Sequence, residues 1–170
     1  MHARPHLVHH ALIAALLALG LLFAPAFAQG EALSETFDDT TLPGWERPPE
    51  VTVVDGALRV PSGGFAVHFG TWSEGALNLK VRIAPGAQAV VGYAFRDSGY
   101  YRLFISLEEM ILERVSGDAH SLLGAGRASG LAAEAWAEIE VTWSGGEHRV
   151  LLGETEVLHA SDSQPLPGGG

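Results

Sequence analysis

Five glutamates lie at short spacings along the chain, and closely spaced carboxylates are the groups that cleave glycosidic bonds. They are Glu108, Glu109 and Glu113 in ISLEEMILERV, and Glu138 and Glu140 in AEIEVTW. Retaining glycosidases hold two carboxyl groups about 5 Å apart, and inverting ones hold them about 6.5–9.5 Å apart. Alternate residues of a β-strand share a face, so a catalytic pair on one strand needs an even spacing. Both groups contain such a pair.

The apolar pattern around the first group argues against a shared active site. The alternation of apolar and polar residues in one predicted strand ends at Glu108, and a new apolar run begins at Met110. This pattern predicts that Glu108 and Glu109 form the turn of a hairpin. Glu113 is then expected on the following strand, either facing water or pairing with an arginine. The second group alternates with apolar residues, which indicates the solvent face of a strand.

Other catalytic signatures are missing from the sequence. The histidines beyond the N-terminal stretch lack the HxH or HExxH spacing of zinc sites, and no GxSxG elbow presents a serine nucleophile. Glycines occur at predicted strand ends, outside the strand-to-helix setting of a phosphate loop. The lack of cysteine excludes cysteine metal sites and thiol catalysis. The patterns favour a protein without catalytic activity, but they do not exclude an enzyme.

The N-terminal stretch is typical of a secretory signal peptide. Arg4 precedes an apolar run from Ala11 to Phe23, and the tripeptide Ala26-Phe27-Ala28 supplies the small residues of a cleavage site. The apolar run is too short to span a bilayer comfortably. We therefore expect residues 1–28 to be removed, leaving one domain, 29–170, with no membrane span. Its expected location is secreted, periplasmic or extracellular.

The charge balance limits the partners of this domain. The chain has 10 basic and 20 acidic residues and a formal net charge of −10 at pH 7. A surplus of negative charge repels nucleic acids and anionic membrane surfaces. We therefore expect no nucleic-acid partner.

Strand patterns fill the predicted domain. The pair Asp55-Gly56 separates two short apolar runs, as in a tight hairpin, and GALNLKVRIA alternates with period two. Two further series flank the turn Asp97-Ser98-Gly99 and the glycines Gly145-Gly146 and Gly153. A weak helical pattern is confined to residues 130–137. About ten short strands with frequent turn signals predict an all-β fold, an antiparallel two-sheet sandwich.

Three longer segments carry a family resemblance that covers nearly the whole predicted domain. They are ETFDDTTLPGW with VTVVDGALRV, VVGYAFRDSGYYRLFIS with ILERVSG, and AWAEIEVTWSGGEHRVLLGETEVLHASDSQPL. Together they resemble the entry hairpin, the central strand pair and the late strands of the concanavalin A-like lectin and glucanase superfamily, in its laminin-G-like or family-16-glycosidase-like secreted bacterial domains. The resemblance implies a jelly-roll sandwich with one concave sheet that binds carbohydrate in many members.

Two departures from the family pattern affect these expectations. Glycosidase members carry ExDxxE on one strand, whereas neither LEEMILE nor EIEVTW has an aspartate between its glutamates. Members also continue past the last glycine turn into a strand that pairs with the first, but this sequence stops at Gly170. We expect a C-terminally incomplete domain; an open edge or completion by another chain are the alternatives.

A binding face should use side chains of opposite parity to the core. On the strand after Gly99 this parity selects Tyr100, Arg102 and Phe104. Aromatic rings pack on the apolar faces of sugars, and arginine donates several hydrogen bonds. The predicted ligand-binding residues are Tyr100, Arg102, Trp136 and Arg96. The alternative is that these side chains only cover the second layer of the sandwich.

The sequence as a whole predicts a secreted, non-catalytic module that binds a polysaccharide or glycan through one sandwich face. A glycoside hydrolase is one alternative, and a structural or adhesion domain with a protein partner is another. The resemblance admits a structural calcium, although no acidic loop such as DxDxDG is present. The sequence identifies no other cofactor.

Overall fold

The structure, a computed structural model, describes residues 33–68 and 74–166, and every regular element within them is a β-strand. The predicted signal peptide lies outside the described residues. The chain divides after Glu35 into two units, and the strands all belong to the second, Thr36–Gly170. In the described ranges there is no helix with the length and apolarity needed to cross a membrane. The weak helical pattern at residues 130–137 forms no helix, because turns there lead directly into a strand.

The strand boundaries follow the predicted alternation closely. In chain order they are β1 (Trp45–Glu46), β2 (Thr52–Val54), β3 (Ala57–Arg59), β4 (Val67–His68), β5 (Gly75–Arg82), β6 (Ala89–Arg96), β7 (Gly99–Ile105), β8 (Glu109–Ser116), β9 (Ala119–Arg127), β10 (Trp136–Ser144), β11 (Glu147–Leu152) and β12 (Thr155–Ser161).

Two four-stranded antiparallel sheets form the body of the domain. Sheet I has the order β12-β11-β10-β5, and sheet II has the order β6-β7-β8-β9. Two short ribbons, β1-β4 and β2-β3, precede these strands in the chain. The predicted all-β class is confirmed, and the paired sheets are sandwich-like. Sheet II is a simple meander, in which each strand pairs with its neighbour in sequence.

Local turn chemistry explains two of the hairpins. Asp55 and Gly56 both have positive φ, 54° and 69°, as a tight hairpin turn requires. The turn before β8 lies one residue earlier than predicted, because the Ser106 N–H donates to the carbonyl of Glu109 at 3.0 Å. The Ser106 hydroxyl also accepts from the backbone N–H groups of Glu108 and Glu109, at 3.3 and 3.0 Å. The assignment of Glu109 to the turn was therefore wrong, and it is the first residue of β8.

The core lies between the inner faces of the two sheets. Its fully buried side chains include Leu103, Ile105, Met110, Leu112, Ile139, Val141 and Val150. Along one edge the sheets approach closely, because β9 carries Gly124 and Gly126 and so contributes no side chains there. A Cβ atom at Gly126 would lie 1.8 Å from the carbonyl oxygen of Val157, and one at Gly124 would lie 3.1 Å from the Cβ of Ala160. Backbone contact between β9 and β12 thus closes this edge.

Gly126→Ala should destabilise the domain strongly, since the new methyl group would meet backbone rather than a movable side chain. We expect a loss of about 3 kcal/mol or more in the free energy of unfolding, measured by urea denaturation. Gly75→Ala is the matched control, because a Cβ there meets only the Trp143 ring, at 3.5 Å. Equal stability of the two variants would contradict the close approach.

Candidate functional site

The outward residues of β7 lie on the face predicted for binding. Tyr100, Arg102 and Phe104 are half-buried, whereas Tyr101 and Leu103 between them are 4% and 0% exposed. The predicted parity of this strand is therefore confirmed. We call the surface formed by outward residues of β6 to β9 the outer face of sheet II.

An aromatic pair lies at one end of this outer face. The Phe95 and Tyr100 rings stack with centroids 4.6 Å apart and an interplanar angle of 13°. A bulge with positive φ at Ala94, 52°, turns Phe95 outward, although simple alternation would turn it inward. Gly92 leaves room beneath the ring, because a Cβ there would lie 2.8 Å from Phe95 Cζ. Phe95 is 53% exposed, so the pair presents an aromatic surface to solvent.

Arg102 occupies the middle of the outer face in a fixed position. Its Nε and Nη2 donate to Glu113 Oε2 at 2.9 and 2.7 Å, and Nη2 also donates to His120 Nδ1 at 2.6 Å. Its Cζ lies 4.6 Å from the centroid of the Phe104 ring. Glu113 therefore neutralises the guanidinium, while Nη1 has no hydrogen-bond acceptor among the described residues. An arginine held in this way can donate to a ligand without losing further side-chain freedom.

Apolar side chains flank this polar centre on both edge strands. Val90 on β6 is 55% exposed, and Leu122 on β9 is 66% exposed. Ile111 and Phe104 pair in register between them and are half-buried. The outer face of sheet II is thus an apolar and aromatic surface with one central ion pair.

The other two predicted ligand-binding residues do not join this surface. Trp136 begins β10 on the outward side of sheet I, where the Arg82 guanidinium carbon lies 5.2 Å from the centroid of its ring. Trp136 is 54% exposed, but it belongs to the opposite layer. Arg96 ends β6, donates through Nη1 to the carbonyl of Phe95 at 2.6 Å, and borders a cavity between the sheets. The structure therefore brings Tyr100 and Arg102 together and separates the other two.

Glu109 and Glu113 do not form a glycosidase pair. They share one face of β8, and four residues of extended strand separate them by about 13 Å. This distance exceeds both catalytic spacings. Glu113 is instead the partner of Arg102, which is the second of the two alternatives that the sequence left open for this residue.

Glu138 and Glu140 are closer, at about 7 Å along β10, but they lie on an open sheet face. Glu138 pairs with Lys80 at 2.9 Å, and its side chain is 70% exposed. A general acid needs a desolvated carboxyl group, but Glu138 is exposed and Glu140 is only half-buried. The described residues also contain no group of three or more His, Cys, Asp or Glu that could hold a metal ion.

Polar side chains that the sequence analysis did not select lie between the sheets. Tyr93 Oη and His148 Nδ1 are 2.9 Å apart, and Tyr101 donates its hydroxyl to Asp162 Oδ2 at 3.1 Å. Burial raises the pKa of both tyrosines and lowers the pKa of His148, so all three stay neutral near pH 7. The sequence offered one signal that His148 faces the core: it lies two residues before the apolar Val150, and alternate residues of a strand share a face.

No known protein family, curated protein or solved structure matches this chain.

His148 should make folding stability depend on pH. Its folded-state pKa lies below the ordinary 6.5 because burial disfavours the cation, and this effect outweighs the opposing charges of Asp162 and Glu147. The unfolded chain takes up the proton first, so the contribution to stability is complete above pH 6.5 and decreases as the pH falls toward the lowered pKa.

Urea midpoints measured from about pH 7.5 to 5 should show this loss, at most about 1.4 kcal/mol per pH unit from this residue. His148→Gln should remove this part of the slope. His120→Gln, on the exposed outer face, is the control and should keep it. An unchanged slope in His148→Gln would refute the assignment.

Proposed function

We propose that the protein is a secreted, non-catalytic module that binds carbohydrate through the outer face of sheet II. In this proposal the domain is a concanavalin A-like sandwich with jelly-roll connectivity. The family resemblance of the three sequence segments and the two antiparallel sheets support that assignment. The N-terminal pattern of a signal peptide supports secretion.

The observation that carries the binding proposal is the exposed Phe95–Tyr100 stack beside the fixed Arg102. The C–H faces of a pyranose ring are apolar and pack against aromatic rings, while its hydroxyls need donors and acceptors. The stacked rings offer the first kind of contact. Arg102 Nη1 offers donors, and Glu113 offers acceptors, within the same surface. Such a surface suits a sugar chain lying along the sheet.

A binding role is favoured over hydrolysis by the placement of the carboxylates. Glu113 is engaged by Arg102, Glu138 is engaged by Lys80, and neither belongs to a desolvated pair at catalytic spacing. A hydrolase would need an acid and a second carboxylate facing each other across a bound sugar.

A protein-binding or adhesion role is the second candidate, and one observation favours it. Val90 and Leu122 extend the outer face as exposed apolar residues, 55% and 66% accessible. Exposed apolar surface around an aromatic centre is also the pattern of protein interfaces.

Binding should depend on the outer face of sheet II and not on sheet I. In pull-downs with cellulose, chitin, xylan and β-1,3-glucan, we expect Tyr100→Ala and Arg102→Met to weaken retention of the protein by about tenfold or more, equivalent to about 1.4 kcal/mol. Arg102→Met keeps an unbranched apolar side chain beside Phe104 and removes the donors. Trp136→Ala, a comparably exposed aromatic on the other layer, is the matched control and should bind normally.

Other outcomes would identify the alternatives. Loss of binding in Trp136→Ala alone would move the site to sheet I. Release of reducing sugar that disappears in Glu113→Gln or Glu138→Gln would establish a hydrolase. Failure to bind any glycan, together with a protein partner whose binding is lost in Leu122→Asp, would establish the adhesion role.

A further inference from the structure

The outer face of sheet II has two aromatic contact points in line along β7. One is the Phe95–Tyr100 stack, whose ring centroids are 4.6 Å apart. The other is Phe104, which points to the same side as Tyr100, pairs in register with Ile111 and is half-buried. Four residues of extended strand separate Tyr100 from Phe104, a distance of about 13 Å. A ligand that contacts both points must therefore be longer than one sugar ring.

Polar groups lie between these two contact points. The Cζ of Arg102 lies 4.6 Å from the centroid of the Phe104 ring, and Arg102 Nε and Nη2 are held by Glu113. The order along the strand is thus aromatic, polar and aromatic. Each ring of a sugar chain has apolar C–H faces and a rim of hydroxyls, which suits this alternation. Contacts in a line along an extended strand fit a straight chain better than a coiled or branched one.

The charges of the outer face cancel, although those of the chain do not. Its charged side chains are Arg102 and Glu113, which form an ion pair, and Glu109 and Arg127, which lie opposite each other in register. A guanidinium only donates, so the Nδ1 of His120 accepts from Arg102 and the imidazole is neutral in this arrangement. The whole chain has a formal net charge of −10. An anionic ligand would thus find no surplus positive charge on this face and would be repelled by the rest of the protein.

We propose that the outer face of sheet II selects an extended, uncharged β-1,4-linked glucan, and that Phe104 contacts a sugar beyond the one on the Phe95–Tyr100 stack. This inference rests on the proposed glycan-binding function and specifies its ligand. In such a glucan every ring substituent is equatorial, so the chain is nearly straight and both faces of each ring are apolar. A stretch of about 13 Å requires several consecutive sugars, so short fragments lose the Phe104 contact.

The dependence of affinity on chain length tests the role of Phe104. In NMR titrations with cello-oligosaccharides of two to six units, we expect the dissociation constant to decrease by about tenfold or more from cellobiose to cellotetraose and to change little beyond it. Phe104→Ala should abolish this gain and leave the affinity for cellobiose unchanged. Phe65→Ala is the matched control and should keep the gain, because Phe65 is 51% exposed and lies outside both sheets. Phe104→Leu, which also lacks the ring, serves if the alanine variant does not fold.

The dependence on ligand charge is tested with cellohexaose and the β-1,4-linked hexamer of glucuronate, which differ only in the carboxylate at C6. We expect the glucuronate hexamer to bind about tenfold more weakly or worse. Glu113→Gln removes the carboxylate that neutralises Arg102, so it should narrow the difference between the two hexamers. Glu138→Gln removes a carboxylate from sheet I and should leave the difference nearly unchanged.

Several results would overturn this inference and leave glycan binding itself intact. They are equal dissociation constants for cellobiose and cellohexaose, equal weakening of every chain length by Phe104→Ala, and equal affinity for the two hexamers. Retention on chitin, xylan or β-1,3-glucan without binding of cellohexaose would have the same meaning. Failure to bind any of these glycans would contradict the proposed function as well.

Discussion

The carboxylate of Asp162 joins the two sheets, and the arrangement of the interior depends on it. It follows β12 of sheet I and accepts from Arg114 Nη1, at 2.9 and 3.1 Å, and from the hydroxyl of Tyr101, at 3.1 Å, both in sheet II. It also accepts from the N–H of Gln164, at 2.9 Å, and its own N–H donates to the carbonyl of Gly146, at 2.8 Å. A carboxylate only 3% exposed is tolerable because every lone pair is used. Removing one member of a buried ion pair costs about 3–5 kcal/mol, so this contact holds the cavity end of the sandwich in place.

Much of the fold follows from local sequence because a β-strand has a simple period and a hairpin needs particular turn residues. Asp55-Gly56 alone specified the turn between β2 and β3, and alternation placed Tyr101 and Leu103 in the core. The predictions failed where a side-chain hydrogen bond or a β-bulge interrupted the regular alternation of a strand. Ser106 satisfies the backbone of its own turn and thereby extends β8 back to Glu109. The order of residues along the chain does not reveal the hydrogen bonds that Ser106 makes. It also does not determine which strands pair with each other in a sheet.

The candidate site was only partly predictable, for the same reason. Parity alone put Tyr100 and Arg102 on one face, but the ring that stacks on Tyr100 comes from Phe95, which alternation would have placed inward. The bulge at Ala94 reverses that orientation, and nothing in the local composition signals it. Long-range partners are equally hidden: the His148 ring meets Tyr93 from a position 55 residues away. Polar side chains on opposite sheets come into contact because of how the strands are arranged in the fold, which local sequence does not show.

The glycines of β9 have a consequence for how this architecture can vary. Where Gly126 faces β12, the separation of the two layers is determined by backbone atoms, because the nearest group is the carbonyl of Val157. Larger or smaller core residues cannot change the spacing there. They can be accommodated only by rotation of one layer about this edge, which opens or closes the far side, where β5 and β6 end their sheets. Sequence drift in the interior should therefore change the angle between the layers more than their distance, with the largest displacements at β5 and β6.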